Sequence, residues 1–321
     1  TSLVDILSTV HSPDSEPKRV VRAALVPFVT AVNVKGEGFK WDWIDNYWDD
    51  KTNSNRPYGA KYHGTNFEQR TLTVGGKTVT ENWSHIELFR KFAAAKGINH
   101  EWKGCVEARP APYNLSDEEP DRTKPDTLFV PYFAPDNPGN EGKSPNSGTA
   151  WNNSYLRDSY GKNDKDKLKL TARYFDSTTR YYVEPVDISV RTPRTTGPNY
   201  TCPTPIVPLT SDFTKLKKEI GKMIYWEGSG TNVSEGLAWS HRVLSPGEPY
   251  TQGAPFGSEN TSKFVVVFTD GENTVYGASN QSYNTSDYGS YSFLDGKRIG
   301  NTTNRNTALT QVNTWTLQAC T

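Results

Sequence analysis

Residues 263–268 read KFVVVF, an apolar run closed at once by Thr269, Asp270 and Gly271. No other feature narrows the possible folds as much. A strand that alternates apolar and polar side chains keeps one wet face. A continuous β-branched run keeps none, which is the pattern of a central parallel strand covered on both sides. Two further runs share this character, residues 19–28 (RVVRAALVPF) and the short, proline-marked 205–209 (PIVPL).

The sequence between the second and third of these runs predicts two helices. Phe213, Leu216, Ile220, Met223 and Ile224 recur at helical spacing, with Ser211 or Asp212 placed to cap the free N–H groups. Residues 232–244 follow, with Val233 and Leu237 on the inner face and Pro246 and Gly247 as the stop. Strand, helix, helix, strand predicts an α/β fold, a parallel sheet with right-handed crossovers flanked by helices.

Residues 35–202 break that rhythm. They carry one good helix, 83–96, ended by Gly97, within Gly-, Pro-, Asn- and Asp-rich sequence dotted with aromatics. A structureless loop of that length does not belong in a compact domain. The expected organisation is therefore a core made of residues 1–34 and 203–321, with 35–202 as a large loop-rich insertion. Leu3, Val4, Leu7 and Val10 form a helical stripe at one end of the chain. Ala308, Leu309, Val312, Trp315 and Ala319 form another at the opposite end. Helices that start and stop without leader, cap or following element read as an interior fragment whose core is truncated at both ends.

Cysteine usage is odd in number: Cys105, Cys202 and Cys320. Three buried thiols of a reduced protein is one reading. The preferred one is oxidised. Cys105 and Cys202 each sit in an irregular, Pro-rich stretch that a cross-link would constrain, and Cys320 would pair outside this chain.

Composition removes whole classes of function. With 36 basic and 36 acidic residues there is no cationic surplus to displace counterions, so nucleic acid is not an expected partner. No stretch approaches the ~20 apolar residues of a membrane span. Aromatics at 12% separate this polar chain from disordered ones.

A search for catalytic motifs comes back nearly empty. No G-x-S-x-G elbow or P-loop is present, and Gly228-Ser229-Gly230 lacks the spacing of either a nucleophile elbow or a dinucleotide loop. His11, His63, His85, His100 and His241 have neither H-E-x-x-H nor C-x-x-C partners, and read as surface or hydrogen-bonded side chains. Asp117, Glu118, Glu119 and Asp121 match no calcium loop and read as a solvated turn. Trp41, Trp43 and Trp48, among Asp42, Asp45, Asp49 and Asp50, fit a sugar- or protein-contacting patch and a small core equally well. An enzyme is not expected.

Two segments stand apart. Residues 228–237 (GSGTNVSEGL) form a Gly-rich lead into a helix, and Thr269 to Asn273 follow the apolar run directly. An Asp at the C-terminal end of a parallel strand, facing a loop Thr, is where α/β folds bind ligands. A tight turn and a helix cap explain the same residues equally well.

A hydrophobic strand ending in T-D-G, preceded by G-T-N before an amphipathic helix, resembles the second half of a von Willebrand factor A domain. The resemblance implies that family's Rossmann-like parallel sheet and its metal-ion-dependent adhesion site. Thr231 matches the second-loop Thr of that site and Asp270 the third-loop Asp. Mg²⁺ or another divalent cation is the implied ligand. The first loop, D-x-S-x-S, is expected upstream, outside this chain. More specifically, residues 21–34, 102–113, 126–139, 199–212, 230–250 and 264–274 resemble TadG-like proteins of Flp (Tad) pilus assembly. That implies an extracytoplasmic binding or assembly domain of the bacterial envelope. Its partners would be proteins of the pilus machinery or envelope, and a membrane anchor would lie only outside this chain. The alternative is a carbohydrate- or envelope-protein-binding module acting through the aromatic-rich insertion.

Overall fold

A computed structural model describes residues 1–45, 63, 66–74, 76–96, 101–137, 153, 155–156, 164–177, 197–226, 230–275 and 285–320. In chain order the helices are α1 (Ser2–Val10), α2 (His85–Lys96), α3 (Asp164–Lys169), α4 (Ala172–Phe175), α5 (Phe213–Ile220), α6 (Val233–Leu244) and α7 (Arg305–Cys320). The strands are β1 (Ala23–Leu25), β2 (Val32–Asn33), β3 (Arg70–Val74), β4 (Lys77–Glu81), β5 (Cys105–Val106) and β6 (Val207–Thr210).

Local chemistry sets the helix starts. Asp212 caps α5 by accepting from the Lys215 N–H at 2.8 Å, and Asn232 caps α6 by accepting from the Glu235 N–H at 3.1 Å. Helix α5 stops at Ile220, a turn earlier than the apolar spacing suggests, and Met223 is left exposed. Helix α7 buries Ala308, Val312 and Trp315 and leaves Leu317 in water. Among the described residues no helix is long and apolar enough to cross a membrane.

The expected von Willebrand factor A-type parallel sheet is not what forms. The described strands pair two by two, β1 with β6, β2 with β5 and β3 with β4, and all three ladders are antiparallel. Two of the three predicted strands do meet, with Ala23 opposite Thr210 and Leu25 opposite Val207, but in the opposite sense to that expected. The third, residues 263–268, forms no strand. Phe264 is 79% exposed and Phe268 76%. The physical reason is that an apolar run encodes an appetite for burial, not a partner. Among the described residues no neighbouring backbone accepts its N–H groups, so it has no ladder to join there.

The main core draws on both stretches of the chain. Val32, Val34, Ile206, Trp239 and Val243 share one cluster with Trp43, Ile44, Leu88, Phe89 and Phe129. The Trp239 and Phe129 rings lie 4.5 Å apart, and Trp43 meets Tyr250 edge-on at 5.1 Å. Helix α6 comes so close to Phe28 that a Cβ at Gly236 would sit 2.6 Å from the Phe28 ring.

Candidate functional site

Backbone bonds bring the loops carrying Thr231 and Asp270 together. The Thr231 N–H donates to Thr274 Oγ1 at 2.7 Å, and the Thr274 N–H donates to the Thr231 carbonyl at 2.8 Å. Next to Thr274, Asn273 Oδ1 accepts from the Val233 N–H at 2.8 Å. The Asn273 amide also donates to Asn313 and Thr316 of α7, both at 2.9 Å. Helix α6 and the 269–274 loop are thereby clamped against α7. A Cβ on Gly271 would lie 3.0 Å from Thr231 Oγ1, so the absent side chain makes room for the Thr231 hydroxyl. Asp270 is exposed beside it.

The donor set decides what this face can hold. Hard cations take six or more oxygens. Thr231 and Asp270 offer one hydroxyl and one carboxylate. Among the described residues no group of three His, Cys, Asp or Glu is placed for a metal. These residues do not by themselves fit a resident cation. Nor is the start of α6 an open anion site, because Asn273 and Asn232 already take its first donors.

The aromatic candidates separate. Trp43 is buried, and its indole N–H donates to Glu248 at 2.7 Å. Trp41 is 44% exposed, with its ring 5.3 Å from Phe39 and 5.6 Å from Trp102. Trp48, Gly228 and Ser229 lie outside the described residues. Cys105 and Cys202 form a disulfide, while Cys320 is free and exposed at the end of α7.

Two buried polar networks escaped the sequence reading. In the first, Glu107 accepts from the Tyr288 hydroxyl and the Arg298 guanidinium, and His85 Nδ1 lies 3.8 Å away. His85 Nδ1 sits 2.6 Å from the Pro131 carbonyl, which fixes the proton on that nitrogen. His63 Nδ1 accepts from the His85 backbone N–H at 3.1 Å, and its Nε2 lies 3.0 Å from Asp45 Oδ2 without the alignment of a hydrogen bond. Burial, reinforced by His63, drives His85 well below the ordinary imidazole range. Burial raises Glu107 despite Arg298. An Asp–His couple of this kind activates a nucleophile only when the free ring nitrogen faces one. Here that nitrogen holds a backbone N–H, so the couple is structural.

In the second network Arg109 and Arg242 flank the Phe129 ring, their guanidinium carbons 4.8 and 5.3 Å from its centroid. They donate to the carbonyls of Tyr113, Asn114, Ser116 and Glu118. Burial and the neighbouring Arg242 lower Arg109 to about 8. Part of the acidic run is thus a loop wound over two buried cations, with Asp117 accepting from Ser245 at 2.7 Å. No single-residue pattern signals this.

No family model, curated protein or solved structure matches the chain.

Proposed function

We propose that this chain is a protein-binding module of bacterial envelope assembly, similar in role to the TadG-like proteins of Flp pilus systems, with its partner docking on the face of Thr231 and Asp270. The observation that carries the reading is the reciprocal pairing of Thr231 with Thr274, which clamps the loop of Thr231 to the loop that carries the exposed Asp270. Sites built on rigidly held loops are where binding residues concentrate. The segments that build this face, 230–250 and 264–274, are among those that carry the resemblance. The Cys105–Cys202 disulfide supports an oxidising, extracytoplasmic compartment. The buried acid–base groups support binding over catalysis, since each is engaged with another protein group. One hydroxyl and one carboxylate are too few donor groups to make a cation the anchor, so docking is derived without one.

A photo-crosslinking residue in place of Asp270, expressed in a bacterium bearing such pili, tests this. Cross-links to pilus-assembly proteins are expected at position 270 and not at exposed Lys18. The same products at both positions, or none at 270, would reject this docking face. The second reading, carbohydrate or envelope-protein binding through the insertion, rests on Trp41, the exposed one of the two candidate tryptophans among the described residues. A Trp41→Ala variant that keeps its full sugar-array signal would remove it.

A further inference from the structure

The apolar segment 263–268 is held at both ends and open along its length. At one end the Lys263 ammonium donates to the carbonyls of Leu244 and Ala254 and lies 3.7 Å from the Phe256 ring centroid. At the other, Thr269 Oγ1 accepts from the Gly271 N–H at 3.1 Å and Thr274 pairs with Thr231. Between these anchors no backbone N–H or C=O of residues 264–268 makes a hydrogen bond among the described residues. All five side chains face solvent, with Val266 at 58% exposure. A fixed, unpaired, β-favouring segment is a template for another strand.

Its sequence says which strand fits. Phe264-Val265-Val266-Val267-Phe268 reads identically in both directions. An antiparallel pair related by a two-fold axis through Val266 sets Phe264 opposite Phe268 of the second copy and Val265 opposite its Val267. Val266 then faces itself. Aromatic and β-branched cross-strand pairs of this kind stabilise antiparallel ladders, and a self-complementary patch is what a two-fold dimer requires. Lys263 falls opposite Thr269, so no like charges meet at the ends.

We propose that residues 264–268 form an intermolecular antiparallel β-ladder with the same segment of a second copy of this chain. This does not depend on the docking face at Thr231 and Asp270. One strand pair lies at or below the ~1,200 Å² lower end of specific interfaces, where transient associations fall, so the dimer is weak.

The two-fold axis supplies the test. In a Cys320→Ser background, which removes the free thiol, sedimentation velocity is run on the parent, Val266→Lys and Val266→Glu. The parent is expected to dimerise reversibly. Each variant alone, with like charges directly opposed, should dissociate at least about tenfold more readily. An equimolar mixture of the two should regain the dimer. A parent that stays monomeric, variants that dimerise as well as the parent, a mixture that restores nothing, or a ladder of higher oligomers would each overturn the proposal. Hydrogen exchange on the same samples adds an independent check. Amides of 264–268 should gain protection with concentration. Strong protection in the monomer would show that another part of the chain covers the segment.

Discussion

His85 shows how a single buried side chain ties stability to pH. Its Nδ1 proton is spent on the Pro131 carbonyl, burial disfavours a charged ring, and Arg298 is a nearby cation that opposes a second proton. The folded state therefore keeps His85 neutral at pH values where the unfolded chain, near 6.5, already binds a proton. Below pH 6.5 the unfolded state holds more protons, so this residue makes stability fall as the pH falls. Glu107 acts in the other direction. Its raised folded-state affinity for protons makes stability fall as pH rises above the ordinary carboxylate value. Comparing slopes isolates the histidine. Between pH 5 and 6.5 the gradient of unfolding free energy should be less positive in His85→Asn by up to about 1.4 kcal/mol per pH unit. Parallel gradients from urea titrations would mean His85 is protonated in the folded protein. The sequence offered little sign of this. His63 and His85 are 22 residues apart, and only the fold brings the backbone N–H of one to the ring of the other.

At the scale of elements, caps and apolar stripes act locally and can be read from local sequence. Asn232 satisfies the Glu235 N–H, and its own amide donates to Ser290 Oγ at 2.9 Å. Asn232→Ala removes both bonds, and the one that Asn232 Oδ1 accepts from Ser234 Oγ, from a buried position. The expected loss is about 1–2 kcal/mol by chemical denaturation, larger than for a solvent-exposed cap. A loss of a few tenths would mean water replaces the side chain. Helices α5 and α6 begin where the sequence places them, α2 begins two residues later than expected, and α7 covers its predicted apolar stripe. The strands were less legible. Val and Phe at 264–268 favour a strand conformation, but a strand becomes one only through hydrogen bonds to a second backbone, which no local pattern specifies. The same gap explains why the runs around β1 and β6 were found while the direction of their pairing was not. For the candidate site, loop chemistry fitted a tight turn and a helix cap equally well, and the resemblance alone singled out Thr231 and Asp270. Asn273, which clamps them through α7, was hidden because its partners Asn313 and Thr316 lie 40 and 43 residues away.

At the scale of the molecule, one joint holds the chain's distant parts together. Asn33 pairs with Cys105 in the β2–β5 ladder, donates its side-chain amide to the Pro203 carbonyl at 2.8 Å, and accepts from the Ile206 N–H at 2.9 Å. The Cys105–Cys202 bond spans 97 residues across that same joint. Hydrogen bonds and covalent bond therefore overlap, and the native arrangement does not hang on the sulfur bridge alone. A cross-link over so long a loop acts chiefly on the unfolded chain, restricting it by about 4–5 kcal/mol in the entropic account. Cys105→Ala/Cys202→Ala should then fold to the same structure with unfolding free energy lower by about 2–5 kcal/mol. Hydrogen exchange separates the two possible origins of that loss. If the bond works through the unfolded state, every amide that exchanges by global opening loses the same free energy, those of α6 and α7 included. If it works by bracing the joint, only amides around residues 32–34, 105–106 and 203–207 lose protection, and the distant helices keep theirs.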